Sequence, residues 1–77
     1  MTITEVRAHK EYEEAMNKIR NYCKGFEFKL DWERIPKPQG NALKIIIRDA
    51  ISQGLLECIA TGWSLDGTIT DETFRKI

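Results

Sequence analysis

Histidine and cysteine are scarce in this chain: His9 is its one imidazole, and Cys23 and Cys58 are its only thiols among 77 residues. A zinc site needs several thiolate, imidazole or carboxylate ligands at workable spacing, so no metal site is expected. Nucleophilic catalysis needs a Ser, Cys or Thr beside a base and an orienting acid. Only His9 offers an imidazole, and neither Ser52 nor Ser64 sits in an elbow motif. The acidic pairs Glu13 with Glu14 and Asp71 with Glu72 read as solvated helix-end charges and not as acid/base machinery. The expectation is a protein with no catalytic residues and no cofactor.

An excess of one charge is also missing. The 12 basic residues are balanced by 12 acidic ones, so no global field steers the chain toward phosphate backbones or anionic lipid. There is no long apolar run either, and Glu5 and Arg7 follow the first residue closely, so neither a secretory signal nor a membrane anchor is expected. That places the protein in the cytoplasm, where a reducing environment favours two buried thiols over a disulfide.

What is present is an ordinary globular composition, 42% hydrophobic and 31% charged. At this length only roughly 60% of the unfolded chain's surface can be buried, enough for one modest core. Residues 1–77 therefore form a single small domain.

Apolar periodicity sets its layout. Tyr12, Met16, Ile19 and Cys23 recur at spacings of three and four, predicting an amphipathic helix over 4–24 with Gly25 as its left-handed cap. Thr2 and Glu5 have capping-box spacing at its start, and Thr4 is an alternative cap. After Gly25 the period becomes two. Phe26, Phe28, Leu30 and Trp32 alternate with Glu27, Lys29, Asp31 and Glu33, predicting a half-buried strand with its aromatic face inward. Residues 35–40, with Pro36 and Pro38, read as a linker. A second helix follows, capped by Asn41 and ending at Gly54, its stripe formed by Leu43, Ile46, Ile47 and Ala50. Residues 55–61 read as a second strand more buried than the first, Asp66-Gly67 as a hairpin turn, and 68–70 as a short return strand. Asp71 then caps a terminal helical turn that docks Phe74 and Ile77. The fold class is α+β, two main helices packed on one face of a two- to three-stranded sheet.

Two fragments resemble known motifs. Asp66-Gly67-Thr68-Ile69-Thr70 resembles the middle of an EF-hand calcium loop, with an acidic ligand before the turning glycine and an isoleucine two residues after it. Gly62 and Thr73 stand where the loop's first ligand and its bidentate glutamate belong, so no calcium site follows. The order helix, strand, helix, then Gly54 leading into a hairpin, is similar to the end of a winged-helix DNA-binding domain. It departs from that pattern because Glu33 to Gly40 fill the place of a further helix. The second helix also exposes a thin basic face of Lys44 and Arg48, with Ser52 and Gln53.

The functional expectation follows by elimination. It is a small regulator or inhibitor that binds a larger protein, with Trp63, Ile45, Arg48 and Lys44 as candidate contacts. Trp63 stands outside any clear period and either closes the core from a loop or anchors an interface. Ile45 points away from the second helix's apolar stripe, so it is either sandwiched or a contact. The sheet's edges add an expectation of homodimerisation or strand addition. The alternative is a nucleic-acid-binding regulator using Lys44, Arg48 and the hairpin.

Overall fold

The computed structural model describes residues 2–77. It has three helices, α1 (Ile3–Ala8), α2 (Lys10–Arg20) and α3 (Lys37–Ser52), and three strands, β1 (Glu27–Asp31), β2 (Leu56–Trp63) and β3 (Ile69–Lys76). The strands form one antiparallel sheet in the order β1-β3-β2, so the last strand in sequence is the middle one in space. The α+β class and the packing of helices against the sheet are as the sequence predicts.

The first helix is two helices. Thr2 and Glu5 make the predicted capping box, but His9 adopts an extended backbone (ψ 140°) and ends α1. Its Nδ1 then accepts the Glu11 backbone N–H at 3.2 Å, so the same residue caps α2. The helical pattern also stops earlier than the sequence predicts. Asn21 caps α2, and Cys23 and Gly25 lie in the following turn, where the Phe26 N–H reaches the Cys23 carbonyl at 3.0 Å. Gly25 does take a left-handed conformation (φ 86°), but in the turn that feeds β1.

The expected linker is helical from Lys37 onward. Pro36 precedes the first turn of α3 and Pro38 lies within it, where a missing N–H leaves no helical hydrogen bond unmade; Asn41 is thus interior and not the cap. At the other end the prediction holds. Gly54 has φ 75°, its N–H meets the Ile51 carbonyl at 3.0 Å, and the Leu55 N–H meets the Ala50 carbonyl at 2.9 Å. Those two bonds are a Schellman closure.

The core is where α3 crosses between the other helices and the sheet. Val6, Tyr12, Met16 and Ile19 supply it from α1 and α2, Ile46, Ile47 and Ala50 from α3, and Leu56 and Phe74 from the sheet. Phe28, Leu30 and Trp32 pack against it from β1 and the turn after it, so the aromatic face is inward; Phe26 is exposed, tilted against Tyr22 and stacked on Phe28. Both cysteines are free, as expected, but both are exposed.

The C-terminal turn predicted at Asp71 is instead β3. Phe74, 1% exposed, stands opposite Phe28 on one side and Cys58 on the other. β3 takes the centre and β2 is an edge; residues 58–60 are exposed where no helix covers them, so β2 is not the more buried strand. Bulges interrupt β2 between Cys58 and Ala60 and between Gly62 and Trp63. A Cβ at Gly62 would lie 2.5 Å from Asp71 Oδ2, so a side chain there would oblige the Asp71 carboxylate to move aside.

A charged cluster ties α1 and α2 to α3. Arg7 donates through Nε and Nη2 to the Asp49 carboxylate at 2.9 and 2.6 Å, and the Tyr12 hydroxyl donates to Asp49 Oδ2 at 2.7 Å. The Arg7 hydrogen bond holds the Asp49 carboxyl below its ordinary value, against the smaller opposing effect of burial. Burial, then the bond to Asp49, raises the Tyr12 phenol. A carboxylate whose folded pKa is depressed contributes stability that is complete above its unfolded value and is lost as pH falls through the folded one. Asp49→Asn should therefore be less stable than the parent at pH 7, and the gap should shrink as pH falls below about 3.9. Urea denaturation across that range checks it.

Candidate interaction surface

The hairpin joining β2 to β3 is held by its own polar groups. The Ser64 N–H meets the Thr68 carbonyl at 2.9 Å, and the Gly67 N–H meets the Ser64 carbonyl at 3.1 Å. Asp66 Oδ1 accepts the Thr68 N–H at 3.0 Å and also the Ser64 hydroxyl. Those bonds, led by the Ser64 hydroxyl, pull the Asp66 carboxyl down to about 2. Gly67 supplies the left-handed residue (φ 85°) that closes the turn. The EF-hand-like fragment is thus a self-satisfied turn, with the Asp66 carboxylate engaged by its neighbours. Among the described residues no group of three or more His, Cys, Asp or Glu is placed to hold a metal.

This ordered turn presents apolar side chains to solvent. Trp63, the last residue of β2, is 63% exposed, so it does not close the core. Its register partner across the hairpin is Ile69, which is also exposed, and Leu65 at the turn is fully exposed. Ile69 in turn lines a groove between α3 and the sheet that Ile47, Ile51 and Phe74 also line. The groove encloses about 250 Å³, below the roughly 300–1,000 Å³ of small-molecule sites, so it accommodates inserted side chains better than a cofactor.

Lys44 and Arg48, one helical turn apart on α3, stand on the same groove. The Lys44 ammonium sits 5.3 Å from the centroid of the Trp32 ring, a cation–π contact. Glu72 is the groove's one carboxylate, and its Oε1 accepts the Trp32 Nε1–H at 3.0 Å.

Of the four residues singled out from sequence, Lys44 and Arg48 line the groove, and Trp63 stands on the hairpin in register with Ile69, which lines the groove too. Ile45 does not join them. It is half-buried and packs against the core, so it is sandwiched. Sequence reasoning missed Leu65, Ile69, Ile51 and Trp32. Leu65 left a legible signal, a leucine between Ser64 and Asp66 in a turn, where a polar residue is the norm. Ile51 and Ile69 left none, because their joint exposure arises only when α3 and the hairpin are set side by side.

Comparison with protein-family models, curated proteins and solved structures finds no match to this chain. The surface must be read from its own chemistry.

Because Trp63 and Leu65 face solvent, Trp63→Ala and Leu65→Ala should each change folding stability by no more than about 0.5 kcal/mol. Phe74→Ala, at the centre of the sheet, should cost about 3–5 kcal/mol. Parallel urea titrations of the three variants measure both, and a large loss in Trp63→Ala would return that residue to the core.

Proposed function

We propose that this protein is a small non-enzymatic regulator or inhibitor that acts by binding a larger protein through the β2–β3 hairpin and the adjoining face of α3. The observation that carries the reading is the exposure of Trp63, Leu65 and Ile69 on a turn ordered by Asp66. Large exposed apolar side chains gain when a partner excludes water from them, and a pre-ordered turn lowers the entropy lost on docking. Tryptophan is among the residues that dominate interface energies. Exposure of this kind in a molecule with so small a core is a solubility cost, which a bound partner removes.

The sheet edges are weaker candidates for a homodimer or for strand addition. The two bulges twist β2, and β1 is five residues long with Glu27, Lys29 and Asp31 along it. Bulges, short strands and charges are the devices that blunt edges against pairing.

Nucleic-acid binding is the second reading, supported by Lys44 and Arg48 on the exposed side of α3 beside the hairpin. It has less behind it. The balanced charge of the whole chain gives little attraction to phosphate, and the extra helix of the winged-helix pattern is absent between β1 and α3.

The test is capture from a lysate of the source cell by the tagged protein and by Trp63→Ala, with and without nuclease. The reading expects a stoichiometric protein that survives nuclease and whose retention falls at least about tenfold in Trp63→Ala, a loss of about 1.4 kcal/mol or more. Material that disappears with nuclease, or is released steeply by salt and by Lys44→Ala, establishes the nucleic-acid reading instead.

A further inference from the structure

The groove between α3 and the sheet has a polarity that specifies its occupant. Its walls are apolar, from Ile47, Ile51, Ile69 and Phe74. Its helical rim carries Lys44 and Arg48 at an i, i+4 spacing, and among the described residues neither forms an ion pair. Of the other basic side chains, Arg7 pairs with Asp49, Lys10 with Glu14, Lys29 with Asp71, Arg34 with Asp31 and Arg75 with Glu57; Lys44 and Arg48 are among the cations that do not pair, and both line this apolar groove. Two like charges one turn apart on a helix repel, so the rim holds an unfavourable pair with no carboxylate at ion-pair distance. Glu72, the groove's one carboxylate, forms no ion pair with either: its Oε1 accepts from Trp32 Nε1 and its Oε2 lies 3.5 Å from Cys58 Sγ.

Resting on the reading of the protein as a protein-binding module, we infer that this groove receives an amphipathic helix of the partner whose apolar stripe is flanked by acidic residues. The stripe enters between α3 and the hairpin, and its carboxylates meet Lys44 and Arg48. A helix fits better than an extended segment, because the groove presents side chains and no free strand edge. A phosphate chain fits less well, because the walls between the two cations and the hairpin are apolar.

The probe is a synthetic helical peptide of about 16 residues, matched to the roughly 24 Å length of α3, with leucine at i, i+3, i+4 and i+7 and glutamate elsewhere. A second peptide replaces every glutamate by lysine, and a mixed-sequence single-stranded DNA is the third ligand. Binding to the full chain is followed by the emission of Trp32 and Trp63. The inference expects the acidic peptide to bind, to weaken with added salt, and to bind at least tenfold more weakly to the Lys44→Glu/Arg48→Glu variant, which should now prefer the lysine peptide. Both substituted side chains are exposed, and a circular dichroism spectrum matching the parent's establishes that the variant is folded. Equal binding of the two peptides, binding of neither, binding of the DNA alone, or an affinity unchanged by the double reversal overturns the inference. If it fails while Trp63-dependent capture of a protein holds, only the acidic-helix occupant falls. If both fail, the protein-binding reading falls with it.

Discussion

The pairing of β3 with both of its neighbours is the interaction on which the rest of this molecule depends. Six of its eight residues are polar or charged, yet it occupies the middle of the sheet because each flank finds an antiparallel partner. Phe74 is its one fully buried side chain, and the inward faces of β1 and β2 meet on either side of it. On the outer face Arg75 lies between Glu27 and Glu57 in register and donates to the Glu57 carboxylate, so the solvent side is held by cross-strand charge. With β3 central, both edges fall to strands that are short or bulged, and the two halves of the domain are joined through a strand at the far end of the sequence.

That long-range pairing marks how far the sequence could be read. Helical stripes were legible where a period of 3.6 is local: Tyr12, Met16 and Ile19 are buried, as are Ile46, Ile47 and Ala50. The β1 alternation and the Gly54 stop were legible for the same reason. The break at His9 was not, because a histidine capping through its ring has no strong sequence signature beside Ser, Thr, Asp and Asn. The Asp71 misreading has a similar cause. Thr70-Asp71-Glu72 looks like a helix start in isolation, and only the edges of β1 and β2, distant in sequence, convert it to strand. Long-range pairing overrides local propensity in this way wherever a strand's hydrogen-bond partners lie far along the chain.

The candidate surface divides along the same line. Trp63, Lys44 and Arg48 could be named from the sequence as residues without an obvious structural duty. That Ile69, the register partner of Trp63, lines the same groove as Lys44 and Arg48 depends on long-range packing and not on any local pattern. Ile45 shows the converse: a residue off its helix's apolar stripe, yet half-buried against the core because the two other helices and the sheet all pack on α3.

One structural economy connects the fold to the proposed use. A domain this small cannot bury every large apolar residue, and exposed ones scattered singly need no explanation. Here Trp63, Leu65 and Ile69 are gathered at one hairpin, and that hairpin is stiffened by an aspartate whose proton is lost far below neutral pH. A turn serving only to reverse the chain has no need of a leucine at its tip, since asparagine or serine would satisfy the same backbone. The stiffness matters because a floppy hairpin would lose on docking much of what its tryptophan gains. Apolar bulk on a turn ordered by its own hydrogen bonds, near Lys44 and Arg48, is the combination on which the proposed protein-binding role rests.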